Sequence, residues 1–174
     1  MALRYGHRSS VDLDLFSHNV FDNSTIINDL HLEFGLQFDF ESGHRNLGVF
    51  CYLEKIKVDI VYYPHPLIGT VELHESIRLY SDADIAAMKI KAILGRGKKK
   101  DFWDLYELLQ HYSLQQIIDW HQQKYPNQML AISIPNAITY FADADESEIP
   151  VSFKNQTWPE IKTGIQKIVR DYLS

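Results

Sequence analysis

The spacing of apolar residues changes near residue 80, and this change sets what the chain can fold into. Before it, apolar and polar residues alternate in short segments, which is the period-two pattern of β-strands. After it, apolar residues recur every three or four positions, as in amphipathic helices. We predict an α/β (α+β) chain with a mixed sheet in the N-terminal half and a helical C-terminal half. Residues 1–80 form the predicted core, and residues 81–174 pack on it as one unit.

The N-terminal half contains predicted strands and one helix. The strands cover residues 11–16, 36–42, 47–53, 56–63 and 76–80, and the helix covers residues 24–33. The C-terminal half contains predicted helices with capping residues and prolines at their ends. They cover residues 82–94, 101–112, 113–125 and 127–142, with a last helix starting at 157–159, and loops at 96–100 and 143–148. Pro135 is expected to kink or split the helix at 127–142.

Composition excludes several classes of protein. One cysteine among 174 residues cannot build a disulfide framework, and no apolar run approaches the ~20 residues of a membrane span. The N-terminus lacks the apolar stretch of a signal peptide, so we expect a soluble cytoplasmic protein. The net charge of −6 does not indicate nucleic-acid binding, although the basic sequence RGKKK at residues 96–100 could provide it locally.

Two aspartates lie two positions apart in the first predicted strand. Asp12 and Asp14 therefore project from one face, where paired carboxylates suit Mg²⁺. A solvated strand face is the alternative, but the preceding Gly-His-Arg-Ser-Ser sequence offers amides and a hydroxyl to anionic oxygens. Asp59, set among apolar residues of another strand, needs a partner or a metal and could join the first two carboxylates.

A third group of charged residues lies on two predicted helices and the segment between them. Lys89 is at the edge of an apolar stripe formed by Ile85, Met88 and Ala92, where its ammonium could meet a phosphate or carboxylate. Asp101 and Asp104 are neighbours on the following helix. The alternatives are that Asp101 caps that helix, that Asp104 is a surface residue and that residues 96–100 are a solvated loop.

Three long motifs resemble the AbiEii-type nucleotidyltransferase family of type IV toxin–antitoxin, abortive-infection systems. They are GHRSSVDLDLF, VDIVYYPHPLI and DIAAMKIKAILGRGKKKDFWDLYELL. The resemblance implies a polymerase-β-like nucleotidyltransferase fold with appended helices. It also implies Mg²⁺-dependent transfer of a nucleotidyl group from an NTP to an acceptor, with tRNA as a candidate acceptor.

The same resemblance assigns roles to individual positions. Asp12, Asp14 and Asp59 would be metal-binding and catalytic carboxylates, and Asp101 would be a further catalytic aspartate. The residues assigned to the nucleotide are Ser10, Arg8, Lys89 and Asp104. Independently of the resemblance, the local positive charge makes Arg96, Lys98, Lys99 and Lys100 the candidates for contact with tRNA or another nucleic acid. A cognate antitoxin encoded nearby is implied, and the two proteins need not touch.

Family members usually carry a Gly-Gly-Thr or Gly-Ser turn just before the segment that matches residues 2–6. Here the sequence begins at Met1. The expectation is either that the start codon lies further upstream or that this is a shortened form with an impaired phosphate grip. The competing hypotheses are an active enzyme, a truncated non-catalytic relative that binds nucleotide, RNA or a protein, and a plain helical interaction module.

Overall fold

The computed structural model describes residues 1–40 and 47–174, and these divide into two compact units. One unit is Ser10–His65, and the other combines Met1–Ser9 with Pro66–Ser174. The predicted mixed α/β class with a helical C-terminal half is confirmed. The division differs from the predicted boundary at residue 80, because residues 66–80 and the first nine residues pack with the helices.

The elements follow one another along the described residues, strands first and helices later. They are α1 (Ala2–Tyr5), β1 (Asp12–Ser17), α2 (Asn23–Phe34), β2 (Phe38–Phe40), β3 (Gly48–Leu53), β4 (Ile56–Tyr62), β5 (Glu72–His74), β6 (Ile77–Leu79), α3 (Asp82–Arg96), α4 (Lys99–Leu108), α5 (Leu114–Lys124), α6 (Ile134–Ile138), α7 (Ala142–Asp145) and α8 (Trp158–Leu173). The predicted strand at 36–42 ends in residues outside those described.

The unit Ser10–His65 is a mixed sheet with the order β1-β4-β3-β2, covered on one face by α2. β1 runs parallel to β4, and the other pairs are antiparallel. The buried side chains of β3 and β4, Val49, Cys51 and Val58, pack against Ile27 and Leu30 of α2. Because strand residues alternate between faces, the charged residues of β1 and β4 are on the opposite face.

The unit formed by residues 1–9 and 66–174 is built around helices α3 to α8. Its core contains Ile90 of α3, Phe102 and Leu105 of α4, and Ile161 of α8, all almost fully buried. The buried face of α3 carries two alanines, Ala86 and Ala87, which leave room for the neighbouring helices. The predicted starts of α5 and α8 are confirmed, because each helix begins with a capping box, at Ser113 and at Thr157.

The prediction of one helix over residues 127–142 is wrong. Residues 127–133 are not helical, and the short helix α6 begins at Ile134. The hydroxyl of Ser133 caps α6, and Pro135 lies in its first turn, where its missing N–H costs no hydrogen bond. The proline therefore starts a helix instead of kinking one. Part of the predicted loop at 143–148 is likewise helical, as α7.

A fully buried ion pair joins α3 to α5. The ammonium of Lys124 lies 2.6 Å from a carboxylate oxygen of Asp84, and it also donates to the carbonyl of Pro66 at 2.8 Å. Asp84 accepts further hydrogen bonds from Ser81 and from the amides of Ile68 and Gly69. Burial raises the pKa of Asp84, but these donors lower it more, so it lies below its usual value. The pair anchors the segment that leads into α3.

No helix among residues 1–40 and 47–174 is long and apolar enough to cross a membrane.

Replacing Lys124 with methionine should lower the free energy of unfolding by about 3–5 kcal/mol, because Asp84 would stay charged, buried and without its main partner. Urea unfolding followed by circular dichroism measures the loss. Lys167→Met, at an exposed position of α8, is the matched control and should change stability by less than about 0.5 kcal/mol. A loss below about 1 kcal/mol in Lys124→Met would show that the pair does not stabilise the unit.

His121 should make the protein less stable in mild acid. Burial lowers its pKa from 6.5 to about 4, with a further contribution from the charge of Lys91. As the pH falls, this imidazole is therefore protonated in the unfolded chain before it is protonated in the folded protein. The free energy of unfolding decreases as the pH drops below 6.5 towards 4. Lowering the pH from 7.5 to 5.5 should lower the free energy of unfolding by about 1 kcal/mol through this residue.

Urea unfolding at the two pH values measures this effect. His121→Phe keeps a ring beside Tyr125 and should lose less stability between pH 7.5 and 5.5 than the unmodified protein. His74→Gln, in exposed β5, should retain the full loss. Equal pH dependence in His121→Phe and the unmodified protein would contradict this prediction.

Candidate functional site

The parallel pairing of β1 with β4 forms a charged face on the sheet. In the register, Asp12 is beside Lys57 and Asp14 is beside Asp59. Directly paired residues of neighbouring strands share a face, and so do residues two apart on one strand. The sequence therefore brings the three predicted carboxylates together on one face, the carboxylate face, and adds a lysine between them.

The contacts on the carboxylate face are specific. The hydroxyl of Ser10 donates to Oδ1 of Asp12 at 3.0 Å. The ammonium of Lys57 donates to both carboxylate oxygens of Asp59, at 2.7 and 2.6 Å. The partner that the sequence required for Asp59 is therefore Lys57. Lys57 was not among the predicted site residues, although its position two residues before Asp59 in an alternating strand already placed it on the same face.

The donor set of the carboxylate face fits a divalent cation in its chemistry. Mg²⁺ prefers carboxylate oxygens and needs one or two of them, with waters and phosphates completing its shell. Among residues 1–40 and 47–174, no three His, Cys, Asp or Glu side chains converge on one metal position. Since the ammonium of Lys57 is hydrogen-bonded to Asp59, the residues that would hold the ion are Asp12 and Asp14. The metal-binding role of all three carboxylates stays a prediction.

A cleft of about 570 Å³ lies at the start of α2, between that helix and the sheet. Its lining includes Asn23, Ser24, Phe40 and Tyr62. Tyr62 projects from the face of β4 that α2 covers, opposite to Asp59. The cleft is thus not part of the carboxylate face.

In the other unit, Asp104 is the centre of a buried ionic cluster. Arg8 forms two hydrogen bonds with its carboxylate, Nε to Oδ1 at 2.7 Å and Nη2 to Oδ2 at 2.8 Å. His7 Nε2 lies 2.8 Å from Oδ1, and the Lys89 ammonium lies 2.7 Å from Oδ2. The Asp104 side chain is fully buried, so the alternative that it is a surface residue is wrong.

Lys89 lies between two carboxylates. Its ammonium is 3.0 Å from Oδ1 of Asp101 as well as 2.7 Å from Asp104. The other oxygen of Asp101 accepts from the amide of Lys98, the residue that precedes α4. Asp101 therefore satisfies a backbone donor at the start of the helix, which agrees with the alternative that it has a capping role, and it also binds the lysine. The structure thus brings Arg8, Lys89, Asp101 and Asp104 into one cluster.

The ionisation of this cluster is strongly favoured. Burial raises the pKa of Asp104, but the charge of Lys89 and the hydrogen bonds from His7 and Arg8 outweigh it, so the pKa lies well below its usual range. Burial lowers the pKa of Lys89, but the charges of Asp104 and Asp101 raise it above its usual value. Both groups therefore stay charged at neutral pH.

The prediction that residues 96–100 form a solvated loop is wrong for most of these residues. Arg96 ends α3, and Lys99 and Lys100 begin α4. Lys99 is buried, and its ammonium donates to the carbonyls of Asp145 (2.9 Å) and Ser147. A nucleic acid could not reach Lys99 in this structure, whereas the side chains of Arg96 and Lys98 are exposed.

His7 was not among the predicted site residues. Its partner Asp104 is 97 positions away, so no local pattern links the two residues. The only signal was its position next to Arg8.

Comparison with known proteins places the chain in a family. The family model described as "Nucleotidyl transferase AbiEii toxin, Type IV TA system" matches residues 1–125. An uncharacterised protein of Aquifex aeolicus (strain VF5), aq_aa25, is 31% identical over 179 residues, which cover 99% of this chain and 84% of that protein.

A solved structure is also similar. The crystal structure of JHP933 from Helicobacter pylori gives a TM-score of 0.47 at 16% sequence identity, covering 97% of this chain and 80% of that chain. The family match spans well over half of this chain and includes every residue of the carboxylate face and of the Asp104 cluster. The resemblance found in the sequence motifs is confirmed: the chain belongs to the AbiEii nucleotidyltransferase toxin family of type IV toxin–antitoxin systems.

Proposed function

We propose that this protein is a Mg²⁺-dependent nucleotidyltransferase that moves a nucleotidyl group from an NTP to an acceptor, with the 3′ end of tRNA as the acceptor to test first. Membership of the family supports nucleotidyl transfer in general, with a nucleotide substrate and an antitoxin partner. The observation that carries the proposal is the register that puts Asp12, Asp14 and Asp59 on one strand face. The metal, the acceptor and the cytoplasmic location belong to the proposal.

In this proposal Asp12 and Asp14 hold the cation, and Ser10 fixes the rotamer of Asp12 through its hydroxyl. A bound Mg²⁺ would supply positive charge to the triphosphate and lower the pKa of the attacking hydroxyl. In the overall reaction, the acceptor hydroxyl releases its proton to solvent, its oxygen forms a bond to the α-phosphorus, the bond from that phosphorus to the bridging oxygen breaks, and pyrophosphate leaves.

The roles of the Asp104 cluster are proposed from the same family resemblance. Lys89 would bind phosphate oxygens, and Asp101 would act as a catalytic carboxylate that also orients this lysine at 3.0 Å. Arg8 and Asp104 are almost completely buried and bonded to each other, which favours a positioning role over direct contact with the nucleotide. Of the four basic residues at 96–100 that were predicted to contact a nucleic-acid acceptor, Arg96 and Lys98 are exposed.

The test is transfer of label from α-³²P-labelled NTPs to tRNA, with and without Mg²⁺. Asp12→Asn and Asp14→Asn keep the side-chain shape but remove the charge that holds the cation, and each should lower transfer by about 100-fold or more. Asp29→Asn, at an exposed position of α2, is the control and should retain full transfer. Full activity in Asp12→Asn would exclude the carboxylate face as the catalytic site.

The same assay separates the competing hypotheses. If the unmodified protein transfers no label from any of the four NTPs but binds nucleotide in a metal-dependent way, it is the non-catalytic relative. If Mg²⁺ and NTP together leave its thermal stability unchanged, the nucleotide-binding part of the proposal also fails. Lys89→Ala tests the cluster separately and should weaken NTP binding.

A further inference from the structure

Lys57 has no part in the proposed function, yet it occupies the middle of the carboxylate face. Across the sheet it is paired with Asp12 of β1 on one side and with Tyr52 of β3 on the other. Along its own strand it donates to both oxygens of Asp59 at 2.7 and 2.6 Å. An ammonium in this position forms hydrogen bonds with the carboxylate oxygens that a metal ion would otherwise bind.

Lys57 reduces the net negative charge of the carboxylate face. Three carboxylates and one ammonium leave a net charge of −2, which one divalent cation neutralises. A lysine ammonium carries its positive charge at neutral pH.

We propose that Lys57 is a positioning residue whose ammonium binds the Asp59 carboxylate in place of a cation. The carboxylate face is thereby limited to one divalent ion, held by Asp12 and Asp14. This inference rests on the metal site of the proposed function. A second divalent ion at Asp59 would have to displace an ammonium that is hydrogen-bonded to both oxygens, and it would lie next to that charge. Lys57 thereby supplies one fixed positive charge on the face.

Binding of Mn²⁺, counted by electron paramagnetic resonance of the free ion, tests this without any assay of activity. The unmodified protein should bind one Mn²⁺ on this face, and Asp12→Asn should abolish that binding. Lys57→Gln exposes Asp59 and removes a like charge about one strand spacing away, so Mn²⁺ should bind about tenfold more tightly. Lys55→Gln, in the exposed turn between β3 and β4, removes the same charge and should leave the affinity unchanged.

A double variant shows whether the effect passes through Asp59. Lys57→Gln combined with Asp59→Asn has the net charge of the unmodified face, so its Mn²⁺ affinity should return to the unmodified level. Circular dichroism confirms that each variant is folded. A double variant that stays tenfold tighter would overturn the inference.

The outcomes distinguish this inference from the proposed function. Equal Mn²⁺ affinity in the unmodified protein and in Lys57→Gln overturns the role of Lys57 but leaves the site at Asp12 and Asp14 intact. Two bound ions in the unmodified protein overturn it as well. Absence of Mn²⁺ binding in both proteins overturns the inference together with the metal part of the proposed function.

Discussion

The register between β1 and β4 is the constraint on which the candidate chemistry depends. It fixes Asp12 beside Lys57 and Asp14 beside Asp59, so carboxylates from distant parts of the chain share one surface. The same register directs Val58 to the buried side, against α2. A slip of one residue would move the aspartates into the apolar core and expose the apolar residues, so packing and site geometry are fixed by a single pairing.

The Asp104 cluster illustrates a different physical constraint. Two carboxylates, Asp101 and Asp104, are balanced by the cations Arg8 and Lys89, with His7 as a further partner of Asp104. Buried charges are tolerated when each has a close partner, and removing one partner leaves the others uncompensated. The cluster therefore fixes the rotamer of Lys89, which a long side chain at a helix surface would otherwise sample widely.

Much of the fold and part of the site were accessible from the sequence. Alternation predicted β1, β3 and β4, capping residues predicted α5 and α8, and the Asp12–Asp14 pair predicted the charged face. The buried face of α3 was harder to predict. The sequence indicated a stripe through Ile85 and Met88, but the structure buries Ala86, Ala87 and Ile90, because small residues allow close helix packing that hydrophobicity alone does not reveal. The burial of Asp104 had no local signal, since Arg8 is 96 positions away.

The chain order of the two units affects how this protein can fold during synthesis. The segment Met1–Ser9 belongs with the helices, but Ser10–His65 is made between them. Arg8 therefore leaves the ribosome 96 residues before Asp104, a delay of roughly 5–20 s at ~5–20 residues per second. Its contact with Ser152 forms later still. The sheet unit can fold first, while the earliest residues of the chain are among the last to be anchored.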